Sequence, residues 1–297
     1  MPFGLMTAGA QFSKLMRIVL KDVPNVLNYI DDVLIHTTDW QSHVETLEIV
    51  LERLRAANLA ARPTKCFVCF NTMEFLGHDI GEGAKRASPR LLEKISDAPR
   101  PVTKKQVRSF VGLTGFYREY IPHYAEIALP LTQLVGKGMP DKVKWLQEHE
   151  DAFQRLKRCL DEPPILKLPV FENLFILKVD ASDVGLGAAL MQEFEGREFP
   201  IAYASKKLLP RECRYATVEK ECMAIVWAVK RFDFYLYGRF FEVHTDHRPL
   251  IYLHEKRSTN RRLMRWSLVL QEHRFRVASV PGRANLLADF LSRQLHP

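Results

Sequence analysis

Cysteine is scarce in this chain: five among 297 residues, an odd number. That scarcity argues against a disulfide-stapled secreted scaffold and fits free thiols in a reducing compartment, so an intracellular location, cytoplasm or nucleus, is expected. Cys66 and Cys69 form a C-x-x-C, but no second pair follows, which is a poor match to zinc-ligand spacing. They lie in the run Lys65-Cys-Phe-Val-Cys-Phe70, which reads as a buried strand. Long apolar runs are also missing. The longest clear one, Cys222 to Val229, is far short of the ~18 residues of a membrane span, so no membrane partner is expected. No basic segment followed by an apolar one stands at the start, and a secretory signal is not expected. Internal repeats and low-complexity tracts are absent as well. With 47% hydrophobic and 26% charged residues, the composition is that of a folded globular chain. The length suggests two or three domains, able to bury about three quarters of the unfolded surface without staples.

Positive charge is in excess. Lys and Arg number 43 against 35 Asp and Glu, a net charge of +8. Such an excess favours a polyanionic partner without specifying one.

Three sections follow from the pattern of elements, at 1–82, 83–168 and 169–297. In the first, Ala10 to Leu20 has a helical pattern and Val26 to Ile35 is a β-type run interrupted by two aspartates. Thr38 and Gln41 have capping-box spacing ahead of a helical period through Val44, Leu47, Leu51 and Leu54. Cys66 to Phe70 and Met73 to Leu76 read as paired strands. The second section opens with Gly and Pro punctuation and is mainly helical. Thr103 and Gln106 repeat the capping-box spacing, and a helix is expected over about 148–160. The third is a mixed α/β layer. Leu174–Val179, Gly185–Met191 and Pro200–Ala204 suggest an antiparallel meander. A long helix over 218–236, a strand Phe240–Thr245, a helix 260–272, a strand 275–280 and a closing helix 283–293 complete it.

Acids fall at telling places in this third section. Asp180 and Asp246 directly follow expected strands, Glu221 falls in the opening turns of the long helix, and Asp289 lies in the final helix. Strand ends present groups rigidly at a sheet's rim. Two carboxylates about 4 Å apart repel by roughly 4 kcal/mol at an effective dielectric near 20, so several stay ionised together only around a cation. Oxygen ligands of this kind select Mg²⁺ or Mn²⁺, and two such ions about 3.5–4 Å apart can hydrolyse a phosphodiester. Spacing alone leaves the plainer alternative open, that each acid is a helix cap or a solvated residue.

In the first section, Asn28-Tyr-Ile-Asp-Asp-Val33 sets Asp31 and Asp32 within an apolar run. Adjacent acids inside a strand are costly unless solvated, paired or metal-bound. A tight hairpin would carry them at its tip, and a plain polar turn is the simplest reading of that segment by itself. Two basic groups stand out. Lys104, Lys105 and Arg108 lie on the expected second-section helix, and Arg257, Arg261, Arg262 and Arg265 cluster around Asn260–Trp266. Both groups suit phosphate contact, though a solvated helix face is the commoner outcome for charge runs. Trp227, Phe232, Tyr235 and Leu236 have the one-sided spacing of a core.

The third section resembles the ribonuclease H domain of LTR-retrotransposon and retroviral polyproteins of the Ty3/gypsy type. The segments that carry the resemblance are Lys178-Val-Asp-Ala-Ser182, Tyr203-Ala-Ser-Lys206, Glu219-Lys-Glu221 with Ala224-Ile-Val226, His244-Thr-Asp-His247, and Ala288-Asp-Phe-Leu-Ser-Arg293. Met1-Pro-Phe-Gly-Leu5, Tyr29-Ile-Asp-Asp32 and Phe75-Leu-Gly-His78 are similar to successive reverse-transcriptase palm motifs. Phe110-Val-Gly-Leu-Thr-Gly-Phe-Tyr-Arg118 is similar to the thumb and connection.

The fold so implied combines α/β and α+β parts. It has a truncated palm, a mainly helical thumb/connection, and an RNase H-like mixed α/β domain. The resemblance implies Asp180, Glu221, Asp246 and Asp289 as an Asp-Glu-Asp-Asp ligand set for Mg²⁺, or Mn²⁺, acting on the RNA strand of an RNA/DNA hybrid. It makes Asp31 and Asp32 two of three polymerase carboxylates, the third lying upstream of the Met-Pro-Phe-Gly motif, where Met1 would match an internal methionine. Negligible polymerase activity is therefore expected, and endonuclease activity is expected to remain. The resemblance also favours phosphate contact for Arg261, Arg262 and Arg265, and offers Lys104 and Lys105 as further nucleic-acid contacts. The competing expectation is a non-catalytic nucleic-acid-binding remnant.

Overall fold

A computed structural model describes residues 6–245 and 261–279. The chain divides into two compact units, 1–76 and 77–297.

In the first unit, helix α1 (Ala8–Val19) packs on strand β1 (Val26–Tyr29), which pairs antiparallel with β2 (Asp32–Ile35). The ladder runs from Val26 opposite Ile35 to Tyr29 opposite Asp32, so the connecting turn is Ile30-Asp31. Ile30 takes a φ of 54°, a left-handed conformation that a β-branched residue adopts only under strain. Helix α2 (Trp40–Ala56) follows, and Met16, Leu20, Val23 and Val50 form a small core.

Two sequence expectations are corrected in this unit. The N-cap of α2 is Asp39, one residue beyond the expected Thr38. Its short carboxylate accepts from the Ser42 backbone N–H at 2.9 Å and from the Ser42 hydroxyl at 2.7 Å, which holds its pKa below the usual range. The expected strand 66–70 does not form. Pro63 to Lys65 make a single 3₁₀ turn, Cys69 turns left-handed at φ 65°, and Phe67, Val68 and Phe70 are exposed. That left-handed residue breaks the extension a ladder needs. In this stretch β3 (Thr72–Phe75) is the segment that forms a strand.

The second unit begins with β4 (His78–Gly81), β5 (Ala84–Ala87) and, far along the chain, β6 (Leu166–Lys167), paired antiparallel in that order. Helices α3 (Pro89–Ser96), α4 (Lys104–Phe116), α5 (Tyr124–Ile127), α6 (Leu129–Leu134) and α7 (Gln147–Asp161) lie between them in sequence. The expected capping box on α4 is present: Thr103 accepts from the Gln106 N–H, and the Gln106 side chain accepts from the Thr103 N–H at 3.1 Å. Ile95, Val107, Phe110, Tyr117, Tyr120, Leu131, Phe153 and Leu156 form the core of this helical part.

Among the described residues, a five-stranded sheet follows. Strands β7 (Phe175–Ala181), β8 (Gly185–Phe194) and β9 (Arg197–Lys207) form the expected antiparallel meander. The long helix is interrupted at Phe232, giving α8 (Thr217–Arg231) and a short α9 (Asp233–Leu236). Strand β10 (Phe240–Thr245) runs parallel to β7. Helix α10 (Arg261–Leu270) packs on α8, and β11 (Arg274–Ser279) runs parallel to β10. The strand order is β11-β10-β7-β8-β9. Phe175, Leu177 and Val179 of β7 and Leu186, Ala188 and Leu190 of β8 join Cys222, Ile225, Ala228 and Val229 of α8 in one core. Burying two to three apolar side chains per strand is worth roughly 1.5–3 kcal/mol each, which makes this sheet face rigid. Phe232 and Leu236 are buried and Trp227 and Tyr235 partly so, as their spacing predicts.

Candidate active site

Side chains alternate along a strand, and the odd positions of β7 are spent on the α8 core. Asp180, one residue before the end of β7 rather than after it, therefore stands on the opposite face with Lys178. Its side chain is 39% exposed, enough to meet a ligand from solvent. Across the sheet its row continues through Gly187 of β8 to Ser205 of β9. On this face the even positions of β10 add Glu242 and His244, joined by a hydrogen bond of 3.0 Å. His244 and Arg276 together hold the Glu242 carboxyl below its usual range. Lys178 pairs with Glu198.

Glu221 occupies the second turn of α8, the helix packed on β7, and is buried. Burial makes its charge costly, a cost that a cation offsets. Its neighbours do other work. Lys220, also buried, donates to Asp183 in the β7–β8 turn at 2.6 Å and keeps that carboxyl below its normal range. Glu219, two residues earlier, accepts from the Ala216 N–H at 3.2 Å and from Arg262 at 2.9 Å. Burial pushes the Cys222 thiol up to about 12, which makes it inert.

Asp246 follows directly on Thr245, the last residue of β10; Asp246 itself and Asp289 lie outside the described residues. Among the described residues no three His, Cys, Asp or Glu side chains gather as a metal cluster. The donors in hand are carboxylate oxygens on a strand and a helix, the chemistry that suits a hard divalent cation. Asp31 and Asp32 lie at and just after the β1–β2 turn, both exposed.

The cations divide. Lys104 donates to the carbonyls of Gly136 at 2.7 Å and Met139 at 3.2 Å, closing the loop after α6. Arg262 stacks on Tyr215, 3.8 Å from its ring centre, besides its bond to Glu219. Lys105, Arg108, Arg261 and Arg265 are exposed.

The residues around Asp180 that sequence reasoning missed come from the helical part. The His123 ring lies 4.0 Å from the Asp180 carboxylate, and Glu126 accepts from the Ser182 hydroxyl. Helix α5, which carries Glu126, is four residues long, below the length at which periodicity shows.

A family model described as the RNase H-like domain found in reverse transcriptase matches residues 170–273. A second, described as reverse transcriptase (RNA-dependent DNA polymerase), matches residues 1–80. The retrovirus-related Pol polyprotein from transposon 297 of Drosophila melanogaster is 39% identical over 295 residues, covering 99% of this chain and 27% of that protein. The Pol polyprotein from transposon opus of the same species is 36% identical, covering 99% and 30%. The Tf2-3 transposon polyprotein of Schizosaccharomyces pombe is 33% identical, covering 99% and 22%. The chain thus spans under a third of each of these relatives. Among solved structures, the foamy viral protease-reverse transcriptase in complex with dsDNA matches with a TM-score of 0.81 at 25% identity, over 94% of this chain and 59% of that one. The same viral protein in complex with RNA/DNA hybrid matches at 0.80 and 24% identity, over 96% and 40%, a likeness of fold. With both family models and these polyproteins agreeing along its length, the chain belongs to the reverse-transcriptase and RNase H-like part of the retrovirus-related Pol polyproteins of LTR retrotransposons.

Proposed function

We propose that the third section, 169–297, is a divalent-metal-dependent endonuclease domain that hydrolyses the RNA strand of RNA/DNA hybrids. Section 83–168 would serve as thumb and connection, and section 1–82 as the C-terminal part of a palm. The observation that carries the reading is the sheet around Asp180. A part-exposed carboxylate stands near the end of β7 on the face away from the α8 core, α8 bears buried Glu221, and the parallel neighbour β10 leads to Asp246, so a shared ion would lie at the strand ends. In this reading Asp180, Glu221, Asp246 and Asp289 hold Mg²⁺ or Mn²⁺. Bound there, the ion supplies activation of a water and charge stabilisation at the phosphodiester. The chain's own part is to keep four like charges fixed and to orient the RNA backbone. Lys105, Arg261 and Arg265, being exposed, are the proposed phosphate contacts. Arg262 and Lys104, offered for the same role on sequence, have internal partners that support a structural task instead.

The polymerase carboxylates are read differently. Asp31 is in the turn and Asp32 opens a strand, so successive side chains diverge and do not by themselves make a two-metal site. We expect negligible primer extension from the 297-residue chain, and robust dNTP incorporation would contradict this.

The test is cleavage of an RNA/DNA hybrid by the purified chain with Mg²⁺. Cutting confined to the RNA strand, and lowered at least about 100-fold by Asp180→Asn, is the expected result. Hybrid binding without turnover would favour a non-catalytic nucleic-acid-binding protein. Turnover that survives Asp180→Asn would remove the metal assignment.

A further inference from the structure

We propose that His123 and Glu126, from the helical part of the second unit, are positioning residues for the Asp180 carboxylate; this rests on reading Asp180 as a metal ligand. Asp180, Gly187 and Ser205 form a row of three cross-strand neighbours on one sheet face. Its middle member has no side chain, and the slot is filled from outside. A Cβ built on Gly187 would lie 2.6 Å from His123 Cε1 and 2.8 Å from Nδ1, so the imidazole occupies the space where a β8 side chain would stand. One row on, a Cβ on Gly185 would lie 2.8 Å from the Glu126 side chain. The third member of the row closes the seat, since the Ser205 hydroxyl accepts from the Ala125 N–H at 2.8 Å.

This seating fixes Asp180 from two directions. The His123 ring lies between two carboxylates, with Nε2 4.0 Å from Asp180 and Nδ1 3.9 Å from Glu126. Those gaps are too long for hydrogen bonds, so the ring acts through its volume, blocking rotamers that would swing the carboxylate over Gly187. Glu126 accepts from the Ser182 hydroxyl, and Ser182 Oγ in turn accepts from the Gly185 N–H at 3.0 Å, pinning the turn two residues beyond Asp180. His123 holds a left-handed backbone, φ 53° and ψ 27°, to enter the slot. Two residues on, the Ala125 N–H donates to the Ser205 hydroxyl, which anchors this turn to β9.

The experiment measures Mn²⁺ binding by calorimetry on the full chain, with hybrid cleavage alongside. The parent is expected to bind Mn²⁺, and Asp180→Asn to abolish it. His123→Ala should weaken binding about fivefold or more and lower kcat with the KM for hybrid unchanged. His123→Phe, which keeps a ring in the slot, should stay within about twofold of the parent. Gly187→Ala, which drives a methyl into the ring, should weaken binding. Combined with His123→Ala it should be no worse than His123→Ala alone, because the slot is then vacant. If His123→Ala does not fold, His123→Phe and Gly187→Ala carry the test by themselves. A His123→Ala chain that binds Mn²⁺ like the parent, a His123→Phe chain clearly weaker than the parent, or a Gly187→Ala chain indistinguishable from it overturns the positioning role alone. A parent without Mn²⁺ binding, or with binding indifferent to Asp180→Asn, overturns the metal reading and the proposal with it.

Discussion

The β1–β2 hairpin and the β7–β8–β10 sheet each carry aspartates, and they treat them in opposite ways. The hairpin is two strands of four residues, with Leu27 and Tyr29 both 54% exposed, beside a small cluster of Met16, Leu20, Val23 and Val50. A two-stranded ribbon of that size is marginal by itself. The sheet has five strands, one face sealed by α8 and the other seated against the turn at His123. An acid on the first is a charge at a turn. On the second it is a charge with a set direction. The lesson is that a carboxylate's residue type says little about catalysis until the rigidity of its platform is known.

The sharpest break of this comparison is a pair of single substitutions. Asp180→Asn is expected to remove hybrid cleavage, at least about 100-fold, while Asp32→Asn leaves it unchanged; equal effects would erase the distinction. Next comes core truncation in the helical part. Phe153, fully buried and in contact with Phe110 and Trp145, should cost about 3–5 kcal/mol as Phe153→Ala in urea melts followed by tryptophan fluorescence.

Acid titration gives a third, smaller effect. His78 is pulled down to about 4, first by burial and then by Lys85. Its unfolded value is near 6.5, so between these limits the unfolded chain binds the extra proton. Its contribution is present above about 6.5 and is lost as pH falls through about 4. The urea midpoint should drop between pH 7 and pH 4.5, and His78→Gln should narrow that drop. The smallest effect is Thr103→Ala, which removes one partner of the capping box on α4 and should cost about 1 kcal/mol.

Much of the sheet was legible in the sequence because its strands are apolar on the α8 side and punctuated by turns. The meander, α8 and β10 fall where Leu174, Gly185, Val218 and Phe240 mark them. The α4 cap was legible from Thr103 and Gln106. The Cys66–Phe70 run misled, because apolar composition alone does not supply a pairing partner, and Cys69 turns left-handed. The Arg262 role was hidden, since a guanidinium that stacks on Tyr215 and one that meets phosphate look alike in sequence. The His123 slot was hidden for a related reason. It depends on a contact 64 positions away along the chain, made by a glycine that has no side chain to announce it.

The most direct test of the metal-site claim is anomalous diffraction from a crystal of the chain soaked in Mn²⁺. A peak is expected within about 2–2.6 Å of carboxylate oxygens from both Asp180 and Glu221. Mn²⁺ bound elsewhere, with Asp180 and Glu221 sharing no ion, would contradict it.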